Sequence, residues 1–141
     1  MADARRDDEA GADDGPGDDD NEVRLVGRLS GGPERRALPS GDEVVSLRVV
    51  VRRPGGGTDT LPVQFGPGPP PGRRPGPGQV GRRALAAVER LEAGTRIEVT
   101  GAVRRRWWAG PEGRRSRIEV HAASVQAEED APEVGGVSRG R

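Results

Sequence analysis

The sequence predicts an all-β domain, a five-stranded barrel with one helix between its third and fourth strands, set between two polar tails. Three observations carry that expectation. Short runs rich in Val and Leu alternate with polar residues at the two-residue period of a strand. A single stretch shows helical spacing instead. Of the 26 Val, Leu, Ile and Phe residues among 141, 24 fall between residues 22 and 126, so only that segment has the apolar content to build a core.

The elements follow in order. "VRLVGRL" (23–29) sets Val23, Leu25, Gly27 and Leu29 on one face and Arg24, Val26 and Arg28 on the other. "EVVSLRVVVRR" (43–53) aligns Val45, Leu47, Val49 and Val51 against Ser46, Arg48 and Arg52, and its β-branched residues suit a strand. "PGGG" (54–57) makes a short connection to "TDTLPVQF" (58–65), where Leu61, Val63 and Phe65 share a face. Pro62 has no N–H to donate, which predicts an edge position or a bulge. The segment 66–79 holds 11 Pro or Gly among 14 residues and reads as an exposed, semi-stiff loop insertion. "VGRRALAAVERLEAG" (80–94) places Val80, Ala84, Leu85, Val88 and Leu91 at helical spacing, with Gly94 as the stop. Strands at 95–108 and 114–126 complete the domain across the turn sequence "AGPEG". Three strands, a helix and two strands is the order of an OB-fold Greek-key barrel, a scaffold used repeatedly for oligonucleotides.

Residues 1–21 contain no Val, Leu, Ile or Phe and read as a disordered acidic arm; residues 127–141 read as a disordered C-terminal tail. The net charge of zero conceals an uneven distribution. The segment 22–126 carries 19 Arg and 10 acids, a balance of +9, whereas the arm carries −7 and the tail −2. A basic domain with acidic ends points to a polyanionic partner, with tails that either compete for the same surface or serve only solubility. With no cysteine there is no disulfide framework, thiol nucleophile or Cys-based zinc site, and no cofactor is expected. The single histidine, His121, has no nucleophile-like motif beside it, and Glu98 and Glu119 read as ion-pair partners of nearby arginines, so an enzyme is not expected. No apolar run resembles a signal peptide or a membrane span, which predicts a soluble, cytoplasmic protein.

Only three aromatic residues are present, and two are adjacent in "GAVRRRWWAG" (101–110). Alternation places Ile97, Val99, Gly101 and Val103 on the core face, so Arg105 and Trp107 continue the inner phase and Arg104, Arg106 and Trp108 the outer one. Trp107 is then expected to close the barrel end or an interface. Trp108, flanked by guanidinium groups on an open face, meets the needs of base stacking beside phosphate neutralisation. Arg24, Arg28, Arg48 and Arg52 occupy the outer phases of the first two strands and extend the same basic surface.

"NEVRLVGRLSGGPERRALPSGDEVVSLRVVVRR" (21–53) resembles the opening of bacterial single-stranded DNA-binding proteins, with N-x-V-x-L-V-G-x-L, P-E-x-R and P-S/N-G in order. "ERLEAGTRIEVTGAVRRRWWAGPEGRRSRIEV" (89–120) resembles the later segment of that family. The resemblance implies that Trp108 is a base-stacking tryptophan and that Phe65 holds the place of a stacking phenylalanine. The strand phase groups Phe65 with Leu61 and Val63, so either a bulge near Pro62 turns it outward or it is core. Asp59 stands where relatives often carry another stacking Trp, the basic hairpin after the second strand is cut to "RRPGGG", and the family's acidic tip D-D-x-P-F is replaced by "EVGGVSRGR". These departures suggest an auxiliary member of the family with weaker binding per nucleotide.

The expected function is non-enzymatic, sequence-nonspecific binding and protection of single-stranded DNA in replication, repair or recombination, by a homo-oligomer, either tetramer or dimer, with replication and repair proteins as further partners. A protein-interaction module like the primosomal restart proteins of similar fold is the alternative, favoured by the missing rings and opposed by the +9 domain. RNA remains a third class of ligand.

Overall fold

In the computed structural model, residues 19–128 are described. Apart from a few residues at their inner ends, the arm and tail expected at 1–21 and 127–141 lie outside the described residues. The chain order is β1 (Val23–Leu29), β2 (Glu34–Ala37), β3 (Glu43–Arg52), β4 (Thr58–Gly68), α1 (Arg82–Glu89), β5 (Arg96–Gly110) and β6 (Gly113–Ala127). The sheet runs β1-β5-β6-β4-β3-β2, and β1 also pairs with β3 through Arg28↔Val50 and Leu29↔Val49. That short pairing closes five strands into a barrel. Neighbours are antiparallel except β4 and β6, which run parallel over Val63–Phe65. With the helix between the third and fourth barrel strands, this is the OB-fold arrangement.

The core is what alternation selects. Val45, Leu47 and Val49 of β3, Val63 and Phe65 of β4, Ile97 and Val99 of β5, and Val120 and Ala122 of β6 are buried together. Leu85 and Val88 of α1 join them. Two glycines permit the closure. A Cβ on Gly27 would strike the carbonyl of Val50 at the seam, and one on Gly101 would strike the carbonyl of His121, where β6 carries an extra residue opposite Thr100 and Gly101.

Three elements differ from the sequence reading, in four respects. Strand β2 was not anticipated, because "ERRA" has no apolar alternation; it is held by pairing to β3 and by Arg35, which bridges Glu43 and Glu89 at 2.8 Å each. Hydrogen bonds to those carboxylates hold the Arg35 guanidinium pKa above its ordinary value. The helix is shorter than 80–94. The Val80 N–H is taken by the Pro67 carbonyl and the Gly94 N–H by the Leu29 carbonyl, both at 2.9 Å, which commits the two ends to strands; Gly94 ends a connecting turn. Strand β4 extends to Gly68, so the first three residues of the 66–79 insertion are paired or bulged strand. Finally, β4 is interior and not an edge. Its ladder with β6 begins only at Val63, which leaves Pro62 just outside it.

Candidate nucleic-acid interface

The outer phases of four strands form one continuous face. Ser46 and Arg48 of β3 pair with Gln64 and Pro62 of β4; Gln64 is level with His121 of β6; and Ala102, Arg104 and Arg106 of β5 pair with His121, Glu119 and Arg117. The β1–β2 connection rises over one end and makes a groove of about 420 Å³, bordered by Gly31, Gly32, Arg36, Arg48, Gln64 and Arg117. A second cavity of about 280 Å³ adjoins it, sharing Arg36 and Gln64 and reaching Arg106, Glu119 and His121.

Beyond the Arg104–Glu119 pair the sheet narrows to β5 and β6 alone, an arm that projects past the core with both faces largely exposed. Its residues stay in register from Gly101↔Ala122 to Gly110↔Gly113, so alternation persists. One face carries Arg104, Arg106, Trp108, Arg115 and Arg117; the other carries Arg105, Trp107, Arg114, Ser116 and Ile118. The two tryptophans therefore point to opposite sides. On the second face Arg114 lies 4.5 Å and Arg105 5.7 Å from the Trp107 ring centroid, and Arg105 Nη1 donates to Ser116 Oγ at 2.9 Å. These cations occupy the ring by cation–π contact. Trp108, 41% exposed, has no such cation among the described residues.

The structure places the sequence-predicted residues in three groups. Arg48, Arg104, Arg106 and Trp108 lie on the outer face or its extension along the arm, and Arg52 is exposed at the far end of β3 opposite Thr58. Arg24 is engaged by Glu98, and Arg28 stands at the β1–β3 seam and donates to the Gly94 carbonyl at 3.1 Å; neither lines the groove or the cavity. Phe65 is a correction. It is 3% exposed in the core, because Pro62 stays in register with Arg48 and the irregularity in β4 falls after Phe65, opposite Glu43 and Val45. A ring so placed is not available for stacking. Of the two places expected for Trp107, the barrel end is corrected: at 52% exposed it closes none, since the arm has no core beneath it, while the exposure leaves the interface expectation standing.

Sequence reasoning missed Arg36, Arg117 and Gln64. The alternation Arg115, Arg117, Glu119, His121 against Ile118, Val120, Ala122 would have marked Arg117 as outward-facing. Arg36 had no such signal, because β2 has no apolar phase to read. Glu98 and Glu119 do pair with arginines. The Glu119 side chain, 1% exposed, faces His121 Nε2 at 3.3 Å, Arg117 Nε at 3.4 Å and Arg106 Nη1 at 3.8 Å. Among the described residues no group of three or more His, Cys, Asp or Glu is arranged to hold a metal, and no helix is long and apolar enough to cross a membrane.

No family model matches the sequence, and no curated protein matches it. The resemblance to single-stranded DNA-binding proteins therefore rests on its motifs. Among solved structures, the dimeric N-terminal domain of the PriB protein from Thermoanaerobacter tencongensis is similar, with a TM-score of 0.54 and 20% identity. The match covers 78% of this chain and 98% of that one. A likeness at that identity concerns the fold, and together with the strand order it makes this chain an all-β OB-fold domain.

Proposed function

We propose that this chain binds single-stranded DNA without catalysing a reaction. The observation that carries the proposal is the arginine-lined groove on one barrel face, continuous with the arm that presents Arg104, Arg106 and Trp108. Arg36, Arg48 and Arg117 displace counterions from phosphates along the groove, and Trp108 stacks on a base without reading sequence. One open ring and many arginines make binding modest in affinity and steep in salt dependence. The role is protection of single strands in replication, repair or recombination.

The same proposal includes a homo-oligomer, supported by the dimeric state of the similar PriB domain. A second reading, a protein-docking module, is favoured by the other face of the arm, where Val103, Trp107 and Ile118 are exposed large apolar side chains in one stripe. Titration with oligo-dT at two salt concentrations, followed by tryptophan fluorescence, separates the two readings. DNA binding predicts quenching at low salt that fades at high salt. Absence of binding at low salt would leave the docking module as the better reading.

A further inference from the structure

Glu119 is a group that phosphate binding leaves unused. Both carboxylate oxygens are buried and accept no hydrogen bond, although His121, Arg117 and Arg106 approach within 3.8 Å. Buried polar atoms are ordinarily paired, so two that accept no hydrogen bond call for an explanation. Glu119 is among the residues that line the cavity of about 280 Å³, whose walls include apolar Leu38, Val44 and Pro67. Gln64 lines the same cavity. Its Oε1 accepts from Ser46 Oγ at 2.9 Å, which leaves its amide hydrogens without a partner among the described residues.

Apolar walls with an acceptor pair and a neighbouring donor suit a flat ring with a polar edge. Guanine is the standard base that offers two adjacent N–H donors, N1–H and the N2 amino group, to both oxygens of one carboxylate. Its O6 stands beside them as an acceptor for an amide N–H. Thymine offers one such donor, and adenine and cytosine offer one amino group next to a ring acceptor. We propose that this cavity is a nucleobase pocket selecting guanine, with Glu119 accepting from N1–H and the N2 amino group and Gln64 donating to O6. Arg106, 44% exposed and the most distant of the three neighbours of Glu119, withdraws to a phosphate as the base enters. The pocket rests on the single-stranded DNA reading and adds a base preference to it.

The test compares three labelled oligonucleotides by anisotropy with the full chain: all-dT, the same with one central dG, and the same with deoxyinosine at that position. Inosine keeps N1–H and O6 but lacks the N2 amino group. The dG oligonucleotide is expected to bind roughly tenfold tighter than all-dT, the scale of a good bidentate base contact, and inosine to lose most of that gain. Glu119→Gln, checked for folding by circular dichroism, is expected to keep dT binding and lose the dG preference. Equal binding of all three by the unmodified protein overturns the pocket and leaves DNA binding standing. A dG preference that survives in folded Glu119→Gln overturns the role of Glu119. Failure to bind any of the three at low salt removes both readings.

Discussion

The barrel body and its projecting arm are made from the same two strands, yet they obey different rules. Within the body, Ile97 and Val99 of β5 are buried while Glu98 and Thr100 are only half-covered, so alternation sorts side chains by burial. Past the Arg104–Glu119 pair the alternation continues, but neither face meets a core, and the same period sorts side chains into two arginine-bearing surfaces. A strand's period thus fixes which residues share a face. What that face touches is decided by the elements stacked on it.

The largest expected effect is on stability, and it distinguishes the two aromatic environments. Phe65→Ala removes a core ring and is expected to destabilise the domain by about 3–5 kcal/mol. Trp107→Ala, on the arm, forfeits cation–π contacts of about 1 kcal/mol or less. Urea denaturation followed by circular dichroism reads both. Comparable losses in the two variants would mean that the arm is packed like the body.

Binding reverses that ranking. Trp108→Ala is expected to weaken oligo-dT binding by about 1–3 kcal/mol, the worth of one stacked base, while Trp107→Ala changes it little because its ring lies on the opposite face of the arm and is contacted by Arg105 and Arg114. Anisotropy titrations with a labelled oligonucleotide measure both without relying on tryptophan signals. Equal losses would assign both faces of the arm to DNA.

A smaller effect separates arginines by their neighbours. Arg48→Gln, in the groove, is expected to reduce the slope of log affinity against log salt by roughly one, as loss of one phosphate contact does. Arg24→Gln should leave the slope unchanged, because Glu98 already engages that guanidinium. A slope change of the same size in Arg24→Gln would extend the DNA path onto β1.

The body was legible in the sequence because its faces differ. Val45, Leu47, Val49, Val63, Ile97 and Val99 were marked as core by period alone, and the helix position followed from one stretch of different spacing. The same period, read without a bulge at Pro62, had already grouped Phe65 with that core; the stacking assignment came from family position and is the one the structure overturns. Legibility failed where contacts are long-range or faces are alike. Strand β2 depends on Arg35 reaching Glu43 and Glu89, residues 8 and 54 positions away, and no local pattern announces that. The cavity at Glu119 needs β4, β5, β6 and the residues around β2 brought together, so a strand glutamate in sequence looked like a surface ion pair.

The smallest expected effect concerns the acidic arm at residues 1–20. Asn21 is clamped to β5: its amide donates to the Val103 carbonyl at 2.8 Å and its Oδ1 accepts from the Val103 N–H at 2.9 Å. Asn21 is thus fixed where body and projecting hairpin meet, next to Arg104 and Arg105, and nine acids precede it in the sequence. The proposal that these carboxylates compete with phosphates for the arginines rests on that attachment, since linking two groups raises their effective concentration. Screening weakens that competition as salt rises toward a Debye length of about 10 Å at 0.1 M. Deleting residues 1–20 is accordingly expected to tighten oligo-dT binding by roughly threefold at low salt and to leave it unchanged at high salt. Isotherms that superimpose at low salt for the two chain lengths would show that the arm does not compete.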